Sequence, residues 1–286
     1  MKSRWMVALL LPMLGGLLAG CASGPALLQS NAARADAAAR SANPPLVKTR
    51  FETRQFDLIG YYRQSAPNDP RLAIFIEGDG VAYITRTQRA VDPTPEKPVA
   101  LDLAARDAAP NLLYLARPCQ YVGGRNGRNC DSAYWTTHRY APEVVAALDE
   151  AISQYVGHFG GRRLALYGYS GGALLALLLA GQRGDVESVT TIAGVLDHQA
   201  WTSHFGDTPL YGSRNSLEVA ERLRRLPQRH FTGLRDDQVP AALAPAFMRR
   251  LGLPPEKFIT QLPRADHECC WAELWPQLAL QAAVTP

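Results

Sequence analysis

The sequence predicts an α/β chain, a mostly parallel sheet covered by helices on both faces. Three observations carry this reading. Short continuous apolar runs at residues 72–76, 111–116 and 163–167 have strand length and no polar alternation, the pattern of strands buried on both faces. Between them lie segments with helical spacing, clearest at 142–159, where Val144, Val145, Leu148, Ile152 and Val156 share one face. The two types alternate along the chain, as crossover helices between parallel strands require.

The first twenty residues stand apart. Lys2 and Arg4 precede an apolar run, residues 5–18, interrupted by Pro12 and by Gly15-Gly16. That run is too short and too broken for a membrane-spanning helix and has the layout of a secretory signal. Leu18-Ala19-Gly20-Cys21 resembles a bacterial lipobox. The resemblance implies cleavage before Cys21 and a lipid on that residue. With Ala22 rather than Asp next, it also implies an outer-membrane location facing the periplasm. Residues 21–45, rich in Ala, Ser and Asn and ending in Pro44-Pro45, read as a lipidated flexible tether. Their Ala content also permits a marginal helix over 31–41.

Residues 46–286 read as one folded domain, of a length that buries a single large core. Residues 51–63 are one or two strands turning near Gly60. Residues 72–76 form a buried strand, 99–108 a short amphipathic helix, and 111–116 a strand cut off by Pro118. Residues 142–159 form a helix with Pro142 in its first turn. A strand at 163–167, an apolar helix at 171–180 and a strand at 188–192 follow. Residues 195–215 read as irregular and aromatic. Then come a helix at 217–226, a strand at 229–232, a helix at 241–251, a strand at 257–262 and a last helix at 268–283 around Pro276.

The formal charge of +4 falls to +2 once Lys2 and Arg4 leave with residues 1–20. The Arg clusters at 162–163, 222–229 and 249–250 sit beside apolar residues and read as solvated faces. No nucleic-acid partner is expected. In an oxidising compartment Cys119 and Cys130 suit a disulfide closing a small loop. Cys269-Cys270 either pair with each other or stay reduced. A metal held by His267, Cys269 and Cys270 has poor spacing for two thiolates, and no metal or cofactor is expected.

In parallel sheets chemistry gathers at the carboxyl ends of the strands. After the strand at 163–167 comes Gly168-Tyr169-Ser170-Gly171-Gly172, a G-x-S-x-G segment between a strand and a helix. This arrangement puts a serine on a tight strand-to-helix turn, with glycines letting neighbouring backbone pass. Here the chain resembles the α/β-hydrolase superfamily over roughly residues 50–284. The resemblance implies a helix-flanked sheet, short insertions acting as a small lid, and a triad in the order Ser, acid, His.

Ser170 is then the nucleophile. The acid is Asp236, in Gly233-Leu234-Arg235-Asp236-Asp237-Gln238-Val239-Pro240, which is similar to the superfamily's G-x-x-D-x-x-V-P segment; Asp237 and Asp197 are the alternatives. The base is His267, the one histidine of six that follows the last strand. His138, His158, His198, His204 and His230 lie elsewhere. The oxyanion hole takes the Gly171 N–H and one from Glu77-Gly78-Asp79-Gly80, with Asp79 ahead of Gly78. Glu77 departs from the His-Gly common in the family, and the Asp79 side chain should point away from a developing oxyanion. Segments 119–137 and 196–213 carry Tyr121, Tyr134, Trp135, Trp201, Phe205 and Tyr211, either as pocket walls or as core packing. The implied activity is a serine hydrolase of small or medium acyl esters in the cell envelope. A peptidase, amidase or thioesterase on the same scaffold and a non-catalytic binding protein are the competing readings.

Overall fold

A computed structural model describes residues 30–160 and 163–283. The lipidation expected at Cys21 lies outside them. Eight strands form one sheet: β1 Val47–Glu52, β2 Asp57–Gln64, β3 Arg71–Ile76, β4 Asn111–Leu115, β5 Arg163–Tyr169, β6 Val186–Ile192, β7 Gln228–Gly233 and β8 Ile259–Leu262. Their spatial order is β1-β2-β4-β3-β5-β6-β7-β8. The run from β4 to β8 is parallel, and β2 joins it antiparallel at one edge.

The helices are α1 Asn31–Ser41, α2 Val99–Arg106, α3 Pro142–Phe159, α4 Gly171–Gln182, α5 His198–Phe205, α6 Ala220–Leu223, α7 Leu243–Arg250, α8 Pro255–Phe258 and α9 Trp271–Ala283. They cover both faces. In β3, Leu72, Ile74 and Ile76 belong to the core under α3 and α4, while Ala73 and Phe75 belong to the core under α1, α2 and α9. The period of two splits each central strand between two hydrophobic cores. Helix α4 sits in the middle, buried from Gly171 to Ala180, which accounts for its nearly all-apolar sequence.

Several expectations need correction. The first hairpin turns at 53–56, where the Thr53 N–H and hydroxyl donate to the Phe56 carbonyl and the Phe56 N–H donates to the Thr53 hydroxyl, and not at Gly60. Gly60 lies inside β2 opposite Thr49; a Cβ there would fall 2.8 Å from the Phe51 ring, so close packing and not turning explains the glycine. Segment 195–215 contains α5, capped by the Asp197 carboxylate on the Gln199 and Ala200 N–H groups. The last strand is only four residues, because Pro255–Phe258 forms a helical turn before it.

The tether expectation fails from residue 31 onward. Helix α1 buries Ala35 and Ala39 against the body, and Tyr61 donates to Asp36 at 2.6 Å while Lys48 reaches it at 2.9 Å. The burying face is made of alanines four apart, which let the helix approach closely yet leave no large apolar period in the sequence.

Cys119 and Cys130 are joined, with their Cα atoms 5.7 Å apart. The bond closes the loop after β4. Replacing both by Ser should lower unfolding stability by about 3 kcal/mol, the loop-closure contribution of a short loop. Denaturant melts with and without the pair check this; no loss would mean the loop is held by its other contacts.

Candidate active site

The G-x-S-x-G segment runs from the end of β5 into α4. Ser170 has φ +50°, in the left-handed region that side chains rarely adopt. The flanking glycines are sterically required: a Cβ on Gly172 would fall 2.3 Å from the Ile76 carbonyl, and one on Gly168 would fall 2.5 Å from Ala173 Cα. The strained turn lifts the Ser170 hydroxyl above the carboxyl edge of the sheet.

His267 reaches it from the loop after β8, with Nε2 3.0 Å from Ser170 Oγ. Its Nδ1 lies 2.9 Å from Asp236 Oδ2 and 3.2 Å from Oδ1. All three side chains are buried. Asp236 follows β7 directly, and its Oδ1 also accepts from the Gln238 and Val239 N–H groups at 2.9 and 2.8 Å. The aspartate thus both caps its own turn and faces the imidazole, so its carboxylate is held in one orientation. The His267 carbonyl accepts from the Tyr169 hydroxyl at 3.0 Å and the Trp271 indole at 2.9 Å, which fixes the loop from below.

The structure separates the alternatives. Asp237 is exposed, and Asp197 caps α5 and pairs with Arg250. His230 is buried beside Thr191 and Gln228, and burial pushes its imidazole down to about 3, which keeps it neutral. Cys269 and Cys270 are bonded to each other, and both His267 nitrogens face Asp236 and Ser170. The described residues contain no cluster of three or more side chains able to hold a metal ion.

The turn after β3 abuts the elbow. A Cβ on Gly78 would lie 3.2 Å from Ser170 Cβ, and one on Gly171 would meet the Asp79 carboxylate. The two oxyanion alternatives differ. The Gly78 N–H donates to Glu77 Oε1 at 2.9 Å, whereas the Asp79 N–H has no acceptor among the described residues. The Asp79 carboxylate is engaged by the buried Arg117 and Arg139, the latter at 2.6 Å. These two guanidiniums neutralise the carboxylate and leave net positive charge behind the turn. Sequence reasoning missed both arginines, because nothing in the spacing of residues 117 and 139 ties them to residue 79.

Glu77 is fully buried and does not face the cleft as a free carboxylate. Oε1 accepts from the Gly78 and Ala100 N–H groups and Oε2 from the Tyr114 hydroxyl at 3.0 Å. Burial raises its carboxyl from the usual 4.5 to about 7, partly offset by those three hydrogen bonds. A raised acid contributes stability that is fully present below the unfolded value and is lost as pH rises through the folded one. Wild-type stability should therefore fall relative to Glu77→Gln by about 3 kcal/mol between pH 4.5 and 7. Denaturant midpoints at pH 4.5 and 8 check this; parallel pH profiles would show that Glu77 titrates normally.

Ser170, His267, Gly78 and Asp79 open into a cleft of about 760 Å³. Its walls are mainly the excursion after β3, through Val81, Tyr83, Ile84 and Arg86, and the far side, through Val195, Trp201, Leu210 and Val239. Of the six aromatics expected at the mouth, only Trp201 lines it. Tyr134 packs edge-on against Phe56, Trp135 is buried under the Ala90 carbonyl, Tyr121 packs in the α2 core, and Phe205 and Tyr211 are exposed outside it. The missed wall, 81–86, follows a parallel strand and was open to the same rule that located Ser170 and His267.

No family model matches the chain, and no curated protein matches it. Among solved structures it is similar to Est1E from Butyrivibrio proteoclasticus (TM-score 0.55, 12% identity, 82% of this chain and 98% of that one). It is likewise similar to an esterase of Pyrococcus furiosus (TM-score 0.55, 13% identity, 83% and 87%). An acylaminoacyl peptidase bound to Z-Gly-Gly-Phe-chloromethyl ketone aligns over 84% of this chain at TM-score 0.56 and 12% identity. This chain spans only 41% of that peptidase's length. The fold is that of the α/β hydrolases. Ser170, Asp236 and His267 each follow a parallel strand of that fold, in the chain order its resemblance implied.

Proposed function

We propose that the chain is a serine hydrolase that cleaves an acyl ester through an acyl-enzyme, held in the bacterial cell envelope by a lipid on Cys21. The observation that carries the reading is the continuous chain Ser170 Oγ, His267 Nε2, His267 Nδ1, Asp236 Oδ2, with links of 3.0 and 2.9 Å.

His267, neutral with its proton on Nδ1, accepts the Ser170 proton at Nε2 as Oγ attacks the ester carbonyl. Asp236 holds that tautomer and stabilises the imidazolium that forms. The Gly171 and Asp79 N–H groups face the oxyanion, with the α4 N-terminus behind Gly171. The imidazolium then gives its proton to the departing alkoxide, leaving an acyl group on Ser170. Water attacks that acyl group with His267 again as base, which releases the acid and restores Ser170. The substrate enters as a small molecule; the chemistry needs no cofactor.

Stopped-flow turnover of p-nitrophenyl acyl esters by the purified protein tests the reading. A burst of p-nitrophenol approaching one equivalent per chain, followed by slower steady turnover, is expected of an acyl-enzyme. Steady turnover of thioesters or peptides in preference to esters would move the reading to the competing hydrolase classes. A folded protein that turns over none of the three would sink it.

A further inference from the structure

We infer that Gln120 is a positioning residue of the oxyanion hole: its side-chain amide holds the Gly78–Asp79 peptide in the orientation that turns the Asp79 N–H toward the carbonyl oxygen of the substrate. The catalytic half of this inference rests on the serine-hydrolase reading; the held peptide rests on geometry.

Gln120 lies in the loop after β4, beside the Cys119–Cys130 bond, and is 1% exposed. Both ends of its amide are used. Oε1 accepts from the Arg117 N–H and Nε2 donates to the Gly78 carbonyl, each at 3.0 Å. A backbone N–H only donates and a backbone carbonyl only accepts, so these two partners fix which end of the amide is oxygen and which is nitrogen. The neighbours on either side are tied down as well. Cys119 is bonded to Cys130, and the Tyr121 N–H donates to the Thr94 hydroxyl at 2.8 Å.

The carbonyl that Gln120 holds belongs to the same peptide as the Asp79 N–H. In a planar trans peptide these two groups point in opposite directions. Gly78 and Asp79 line the cleft and Gln120 does not. With the Gly78 oxygen drawn back to Gln120, the Asp79 N–H is turned outward to the cleft side, where it meets no acceptor among the described residues. Donation to the Gly78 oxygen also polarises the peptide and strengthens that N–H as a donor. The Asp79 side chain has its own anchors, Arg117 and Arg139. The peptide plane is the part that Gln120 sets. Gly80 makes this packing possible: at φ +68°, a Cβ there would fall 1.9 Å from the Pro93 carbonyl oxygen and 2.9 Å from Gln120 Nε2. The two glycines of Glu77-Gly78-Asp79-Gly80 thus have separate reasons, Gly78 admitting Ser170 and Gly80 admitting Pro93 and Gln120.

Gln120→Met keeps the length of the side chain and removes both of its hydrogen bonds. The test compares a p-nitrophenyl ester with the matching thionoester, whose carbonyl sulfur is a poor acceptor and gains little from an oxyanion hole. On the oxygen ester kcat should fall at least tenfold, toward the roughly 10²–10³ of a lost oxyanion donor, with KM within about twofold. The thionoester should lose much less, so the oxygen-to-sulfur rate ratio falls. A thermal melt shows that the variant is folded. An equal loss on both substrates would be the mark of a general distortion and would overturn the positioning role. Wild-type kinetics in the folded variant would overturn it too. Both results leave the serine-hydrolase reading intact, because the wild type still turns over the ester.

The wild-type protein supplies a second arm that does not depend on the variant folding. A trifluoromethyl ketone adds to Ser170: Oγ bonds the carbonyl carbon, the Ser170 proton passes to His267 Nε2, and the ketone oxygen takes the negative charge. The Asp79 amide proton should then move downfield in the nuclear magnetic resonance spectrum and become protected from exchange. An adduct that leaves this resonance unmoved would overturn the inference and keep the hydrolase reading. A folded wild type that forms no adduct and turns over no ester would overturn both.

Discussion

Ser170→Ala is expected to lower acyl-ester turnover by about 10⁶-fold. The loss is large because, among the described residues, Ser170 is the hydroxyl that His267 Nε2 faces, and in the proposed mechanism the remaining parts of the site act through it. His267 without Ser170 has no proton to accept, and the Gly171 and Asp79 N–H groups are left to polarise a carbonyl that only water can attack. A residual rate of about 10³–10⁴ over water is the level expected from an oxyanion hole and binding alone. Stability should change little. Alanine can hold the same turn, and the substitution removes one hydroxyl whose described partner is His267. Steady-state kinetics beside a thermal melt separate the two readouts. A variant that keeps more than about one per cent of wild-type turnover would place the chemistry on another residue, against the range seen for lost nucleophiles.

Asp236→Asn should cost about 10⁴-fold in kcat with little change in fold. Asparagine keeps a carbonyl oxygen where Oδ1 accepts the Gln238 and Val239 N–H groups, so the turn survives. What changes is the partner of His267 Nδ1. The side-chain amide presents an N–H there, and the imidazole answers by moving its own proton to Nε2. That nitrogen then points a proton at Ser170 and cannot accept one. Rising pH would not rescue the variant, because the block is a tautomer and not a protonation equilibrium. Asp237→Asn provides the comparator: its side chain is exposed next door and should leave kcat within twofold. A similar fall in both variants would point to the local turn, and no fall in Asp236→Asn would remove Asp236 from the reaction.

The parts of this site that were legible in the sequence share a physical cause. Strands buried on both faces must be continuous apolar runs, and the rule that parallel strands deliver chemistry at their carboxyl ends turns strand positions into site positions. Ser170, Asp236 and His267 follow β5, β7 and β8 for that reason. The parts that were hidden share a cause too. Helix α1 buries alanines, whose composition looks the same in a docked helix as in a tether. In the sequence Gly60 reads as a turn between the first two strands, yet in the fold it admits the Phe51 ring.

Arg117 and Arg139 come from the loop after β4 and converge on Asp79 only in three dimensions. Glu77 reads in the sequence only as a departure from the family's His-Gly. Burial against two N–H groups and a tyrosine makes it a brace for the turn instead. In each case the sequence names the residue type, and tertiary packing supplies the partner that decides its role.

The reactivity of Ser170 is the claim on which the functional reading stands. The most direct measurement treats the purified protein with a fluorophosphonate, records the intact mass and maps the modified peptide. One adduct per chain on Ser170, absent in Ser170→Ala and strongly slowed in His267→Ala, is the expected result. A folded wild-type protein that takes no adduct, or takes it equally in Ser170→Ala, would contradict an activated serine at the elbow.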